Sequence, residues 1–109
     1  MAYDEGLAER IRLVLREDAD VTERKMFGGI AFMCQGNMAV GIVGEELMVR
    51  VGKDAFADAL TEPHTREMDF TGRPSKGMVF VGVDGIGEDE DLRAWIERGV
   101  SYARSLVPK

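Results

Sequence analysis

Apolar residues recur at helical spacing near both ends of the chain and alternate with other residues between them. In DEGLAERIRLVLRED, Leu7, Ile11, Val14 and Leu15 fall on one face, while Glu9, Arg10, Arg12, Arg16 and Glu17 fall elsewhere. That spacing predicts an amphipathic helix packed through its apolar stripe. Asp4 stands where a side-chain oxygen can cap the first turn. The C-terminal DEDLRAWIERGVSYARSL predicts a longer helix with Leu92, Trp95, Ile96, Gly99, Val100, Ala103 and Leu106 on its buried side. Asp89 is expected to cap it. The acids of GEDED meet the positive end of its dipole, and Arg98 and Arg104 lie toward the other end.

Between the helices, IAFMCQGNMAVGIVGEELMVRV is broken by Gly36-Asn37 and Gly44-Glu45, each read as a two-residue hairpin turn led by glycine. The two turns set a register for a three-stranded meander. Met33 then faces Val40, Ala31 faces Ile42, Val40 faces Val49, Ile42 faces Leu47, and Met38 faces Val51. Opposed residues share a face, so Met33, Met38, Val40, Ile42, Leu47, Val49 and Val51 are expected on the core side. The other side would carry Phe32, Cys34, Ala39, Gly41, Val43, Met48 and Arg50, with an aromatic ring covering Gly41. KDAFADAL then predicts a short helix with Phe56 and Leu60 on one side, ended before Pro63. REMDF and GMVFVGV predict two further strands joined through TGRPSK. The order is helix, three strands, helix, two strands, helix: an α+β fold with an antiparallel sheet.

Composition narrows the class. At 109 residues the chain fits one domain, residues 1–109, with one modest core. Neither the N-terminus nor any apolar run resembles a signal peptide or a membrane span. A single cysteine allows no intramolecular disulfide, which points to the cytoplasm. A formal net charge of −6 counts against nucleic acid and acidic membranes as partners.

Candidate chemistry is sparse. Gly28-Gly29 has no Lys-Ser or Lys-Thr behind it and reads as a bend entering a strand, not as a phosphate loop. GVDGIGEDED places Gly85 and Gly87 between a strand and a helix, where dinucleotide folds hold a pyrophosphate. Its third glycine is missing, and Glu88 through Asp91 would repel the anion. One histidine, His64, and one cysteine, Cys34, do not supply zinc-ligand pairs. No catalytic, metal or cofactor site is expected. His64, Arg66, Arg73 and Lys76 gather in one stretch and form a candidate patch for an anion or an acidic partner.

Taken together, RKMFGG before an aromatic-bearing strand, GNM, ELMVRVG, MDFTGRPSKG and the closing DLRAWIERGVSYARSL resemble the N-terminal domain of the TfoX/Sxy family. The resemblance covers nearly the whole chain. It implies an α-β3-α-β2-α arrangement like that of secretion chaperones, and relatives that regulate natural competence as transcriptional co-activators. Those relatives carry a second, C-terminal domain, whereas this sequence stops at Lys109. The resemblance brings no catalytic residues with it. The leading expectation is a non-enzymatic cytoplasmic module that binds an unspecified protein, or its own copy as a homodimer. Its candidate interaction face is Phe32, Cys34, Gly41, Met48 and Arg50. Two alternatives are a small-ligand binder or enzyme using the face near Cys34, Met48 and Arg50, and a nucleic-acid adaptor using Arg24, Lys25, Arg66, Arg73 and Lys76.

Overall fold

A computed structural model describes residues 3–26, 28–67 and 77–108. In chain order the elements are α1 (Glu5–Leu15), β1 (Val21–Met26), β2 (Gly29–Cys34), β3 (Asn37–Val43), β4 (Glu46–Arg50), α2 (Phe56–Leu60), β5 (Thr65–Glu67), β6 (Met78–Val81) and α3 (Asp89–Ser105). A single 3₁₀ turn, Val83–Gly85, precedes α3. The strands form one antiparallel sheet in the order β1-β2-β3-β4-β6-β5. The α+β class and the antiparallel sheet stand, with one strand more than the sequence pattern predicts. That strand is β1, VTERKM, an edge strand whose four central residues are exposed. It lacks the apolar alternation that marks a half-buried strand, and charged residues are the usual way to keep an edge from pairing with other chains. The connection TGRPSK and the end of REMDF lie outside the described residues.

Asp4 caps α1 as expected, its Oδ1 accepting the Leu7 N–H at 3.2 Å. The expected cap of α3 is corrected: Glu88 holds that position, without a side-chain bond, and Asp89 is the first helical residue. The Asp89 carboxylate instead accepts from Arg10 of α1 at 3.1 Å. Two other arginines tie the helices to the sheet side. Arg12 grips Glu23 of β1 with two bonds of 2.8 Å, and Arg104 of α3 bonds Asp18 and Asp20 before β1 at 2.8–3.1 Å. Such exposed pairs are each worth about 1 kcal/mol or less; they set how the helices lie.

The β3–β4 register is as expected, with Val40 opposite Val49 and Ile42 opposite Leu47. The β2–β3 register is not. Its turn is Gln35-Gly36, both left-handed at φ +52° and +84°, as a type I′ turn requires. Near the turn Met33 pairs with Met38, but further along Phe32 pairs with Val40, so Ala39 is the extra residue of a bulge. The bulge reverses the alternation within β3 and puts Met38 and Val40, two positions apart, on opposite faces. Phe32, Cys34 and Ala39 therefore join Ile30, Val40, Ile42, Leu47 and Val49 in the core under the helices. Met33 and Met38 go to the other face. The approach of α3 fits this bulge. A Cβ on Gly99 would stand 2.4 Å from the Ala39 carbonyl oxygen, so only glycine allows the contact.

All three helices pack into that one core, through residues that include Ile11, Ala59, Leu92 and Ile96. At roughly 1.5–3 kcal/mol for each large side chain fully buried, this layer dominates the stability.

Candidate functional site

The sheet face opposite the helices gathers Met26, Met33, Met38, Met48 and Met78, five of the chain's seven methionines, with Ala31, Val43 and Phe80. The Met48 side chain fills the space beside Gly41, where a Cβ would meet its Cε at 2.8 Å. A methionine, not the expected aromatic ring, covers that glycine. Met48 has no exposed surface, and Ala31, Met38 and Phe80 are also buried. Met26, Met33, Val43 and Met78 are half-buried and form the accessible part of the face. At one side Arg66 lies over the Phe80 ring, 4.5 Å from its centroid, and pairs with Glu46.

A second feature lies at the far end of the helix layer. The turn Glu62-Pro63-His64 leads into β5, with His64 in the left-handed region at φ +67°. The His64 carbonyl accepts the Gly82 N–H at 2.8 Å, which holds this turn beside the 3₁₀ turn containing Asp84. Facing both is the start of α3. Between them is a cleft of about 510 Å³ lined by Glu62, His64, Asp84, Asp91, Trp95 and Arg98, among others. Trp95 is 7% exposed, and the Arg98 guanidinium stacks on its ring at 4.6 Å. Helical periodicity identifies Trp95 as a core residue, which it is. That one edge of it also lines a cleft depends on a loop some 30 positions earlier in the chain, and no local signal carries it.

Residues 14–103 match the family model of the TfoX N-terminal domain. The chain belongs to that family. No curated protein and no solved structure matches it.

In this TfoX N-terminal domain the candidate interaction residues do not share one surface. Phe32 and Cys34 lie in the core under the helices, Gly41 and Met48 lie on the methionine face, and Arg50 reaches the Tyr102 ring of α3 at 5.5 Å. The Ala39 bulge, which displaces β2 against β3, is what separates Phe32 and Cys34 from Gly41 and Met48. Cys34 and Met48 are fully buried on opposite sides of the sheet, so they cannot line one pocket. Burial is the main reason that the Cys34 thiol titrates above its usual value, with the Asp20 carboxylate adding to the shift. Of the candidate anion patch, Arg73 and Lys76 lie outside the described residues. His64 opens onto the acidic cleft, and Arg66 is occupied by Glu46 and Phe80. Of the cations considered for nucleic acid, Arg24 and Lys25 are neighbours on β1, paired with Ala31 and Ile30 respectively, and so point to opposite faces. Among the described residues, no group of three or more His, Cys, Asp or Glu side chains could hold a metal ion. No helix of the described residues is long and apolar enough to cross a membrane.

Proposed function

We propose that this TfoX N-terminal domain is a regulatory module that works by binding protein rather than by catalysis, and that its binding surface is the methionine face. The observation that carries the reading is the gathering of five methionines and Phe80 on the sheet side to which no described helix is packed. Methionine is unbranched and polarisable, so a face made of it adapts to a partner without a pre-cut shape. The proposed occupant is a second copy of the chain. Two such faces can pack as the layers of a sandwich, and a two-fold axis brings the same adaptable patch from each side. Membership of the family supports a role like that of competence regulators. A single cysteine suits the cytoplasm as the compartment.

Light scattering over a dilution series tests the binding surface. The expected result is a mass that rises toward a dimer with concentration and falls back to a monomer in Met33→Lys/Met78→Lys, both half-buried positions. A dimer indifferent to the double substitution places the interface elsewhere. A monomer at every concentration overturns self-association. Met48→Arg is a poor probe, because a fully buried position reports on folding first.

A further inference from the structure

The five methionines of the sheet face differ in how far solvent reaches them. Met48 has no exposed surface and Met38 is 7% exposed. Met26, Met33 and Met78 are half-buried. Their places in the sheet account for the division. Met48 is central, between Gly41 of β3 and Phe80 of β6. Met26 ends the edge strand β1 opposite Gly29, which has no side chain to cover it. Met33 is next to last in β2, and Met78 is first in β6. The thioethers of these three are open to an oxidant in a way that the chain's one thiol is not. A thioether needs no ionisation to react, whereas Cys34 is buried under the helices with its thiol titrating high.

We infer that Met26, Met33 and Met78 are a site of reversible oxidation by hydroperoxides, and that their sulfoxides switch off self-association of the methionine face. The switch rests on the dimer reading above; the modification site does not. In the reaction the thioether sulfur attacks one peroxide oxygen, so that an S–O bond forms as the O–O bond breaks. The sulfur loses two electrons, and hydrogen peroxide gains them and leaves as water. An apolar, adaptable side chain becomes a polar acceptor. The face has nothing to satisfy that acceptor, because Ala31, Met38, Val43, Met48 and Phe80 carry no side-chain donor. Arg66 at the rim is held by Glu46 and the Phe80 ring. Each sulfoxide buried unpaired between two copies should weaken their association about tenfold. Self-association covers the same sulfurs, so oxidation proceeds on the monomer and each process opposes the other. Methionine sulfoxide reductases return the thioether, which makes the change reversible.

The test treats dilute and concentrated samples of the chain with hydrogen peroxide, locates sulfoxides by peptide mass spectrometry and reads the mass by light scattering. In the dilute sample Met26, Met33 and Met78 should oxidise several-fold faster than Met38 and Met48. In the concentrated sample Met33 and Met78 should be protected. The oxidised chain should keep the circular dichroism of the parent, yet need a concentration about a hundredfold higher to dimerise. Methionine sulfoxide reductase should restore the parent's behaviour. Met26→Leu/Met33→Leu/Met78→Leu keeps the face apolar at nearly the same volume and should dimerise with or without peroxide. Met38 or Met48 oxidising as fast as the other three overturns the modification site. A dimer that persists with Met33 and Met78 oxidised overturns the switch alone. So does peroxide that dissociates the leucine variant, which retains Cys34, or that unfolds the parent. A parent chain already monomeric before peroxide overturns the dimer and the switch together, and the sulfoxide pattern then decides the modification site by itself.

Discussion

Val40 lies between Phe32 and Val49 on the helix side of the sheet with no exposed surface. Val40→Asp puts a carboxylate there without a partner, and an unpaired buried charge costs several kcal/mol. Circular dichroism should show a domain that is unfolded or melts far below the parent; a melt that barely moves would refute the packing. Asp4 makes a smaller, local contribution. Asp4→Ala removes the acceptor of the Leu7 N–H and should cost about 1 kcal/mol in denaturant titration. Cys34 is buried and its thiol titrates high. It should alkylate slowly in the native protein and fast once unfolded, since the thiolate is the reactive form. Fast native labelling would reopen a nucleophilic role.

The β2–β3 hairpin shows how one residue decides an element. Gln35 occupies a left-handed position with a side chain poorly suited to it, and Gly36 occupies the next. Asn-Gly is the preferred pair for this turn, so Gln35→Asn should raise the melting temperature modestly. Gly36→Ala should cost about 1–2 kcal/mol, the penalty for a side chain in left-handed backbone. A hairpin turning at Gly36-Asn37 would reverse the first expectation, because Gln35 would then be an ordinary strand residue, and keep the second, because glycine leads that turn too. Asn37 has a different task. Its buried Nδ2 donates to the Val107 carbonyl at 3.0 Å and fastens the chain end to the hairpin.

At the scale of the whole molecule, arginine pairs join segments far apart in sequence and give stability an acid limb. Hydrogen bonds from Arg104 hold the Asp20 carboxyl below its usual range, and those from Arg12 do the same for Glu23. Both carboxyls bind protons more weakly folded than unfolded. The stability they contribute is present above their unfolded pKa values and is lost as pH falls through the lowered folded values. Arg104→Ala should abolish the Asp20 part of this. The variant's melting temperature should differ most from the parent near neutral pH, and the two should converge as acid protonates Asp20. A difference that stays constant into strong acid would assign the loss to packing of the arginine stem.

Legible from the sequence alone were the helices, the β3–β4 pairing, the α+β class and the family resemblance. Each rests on information carried within one turn, one pleat or one short motif: the stripe from Leu92 to Ala103, the Gly44 turn, the run from Asp4 to Leu15. Tertiary structure decided the rest, because the deciding contacts are distant. Whether Phe32 or Met33 faces the helices depends on the bulge at Ala39, which accommodates Gly99 of α3 some 60 positions later. The strand β1 is made by its pairing with β2 rather than by its own polar sequence. Five methionines became one face only once that bulge had turned Met33 and Met38 outward. The cleft has its shape because the Gly82 N–H holds the His64 turn beside the 3₁₀ turn that precedes α3. Periodicity assigns a residue to the inside or the outside of its own element. Which inside it joins is settled by the elements that come to meet it.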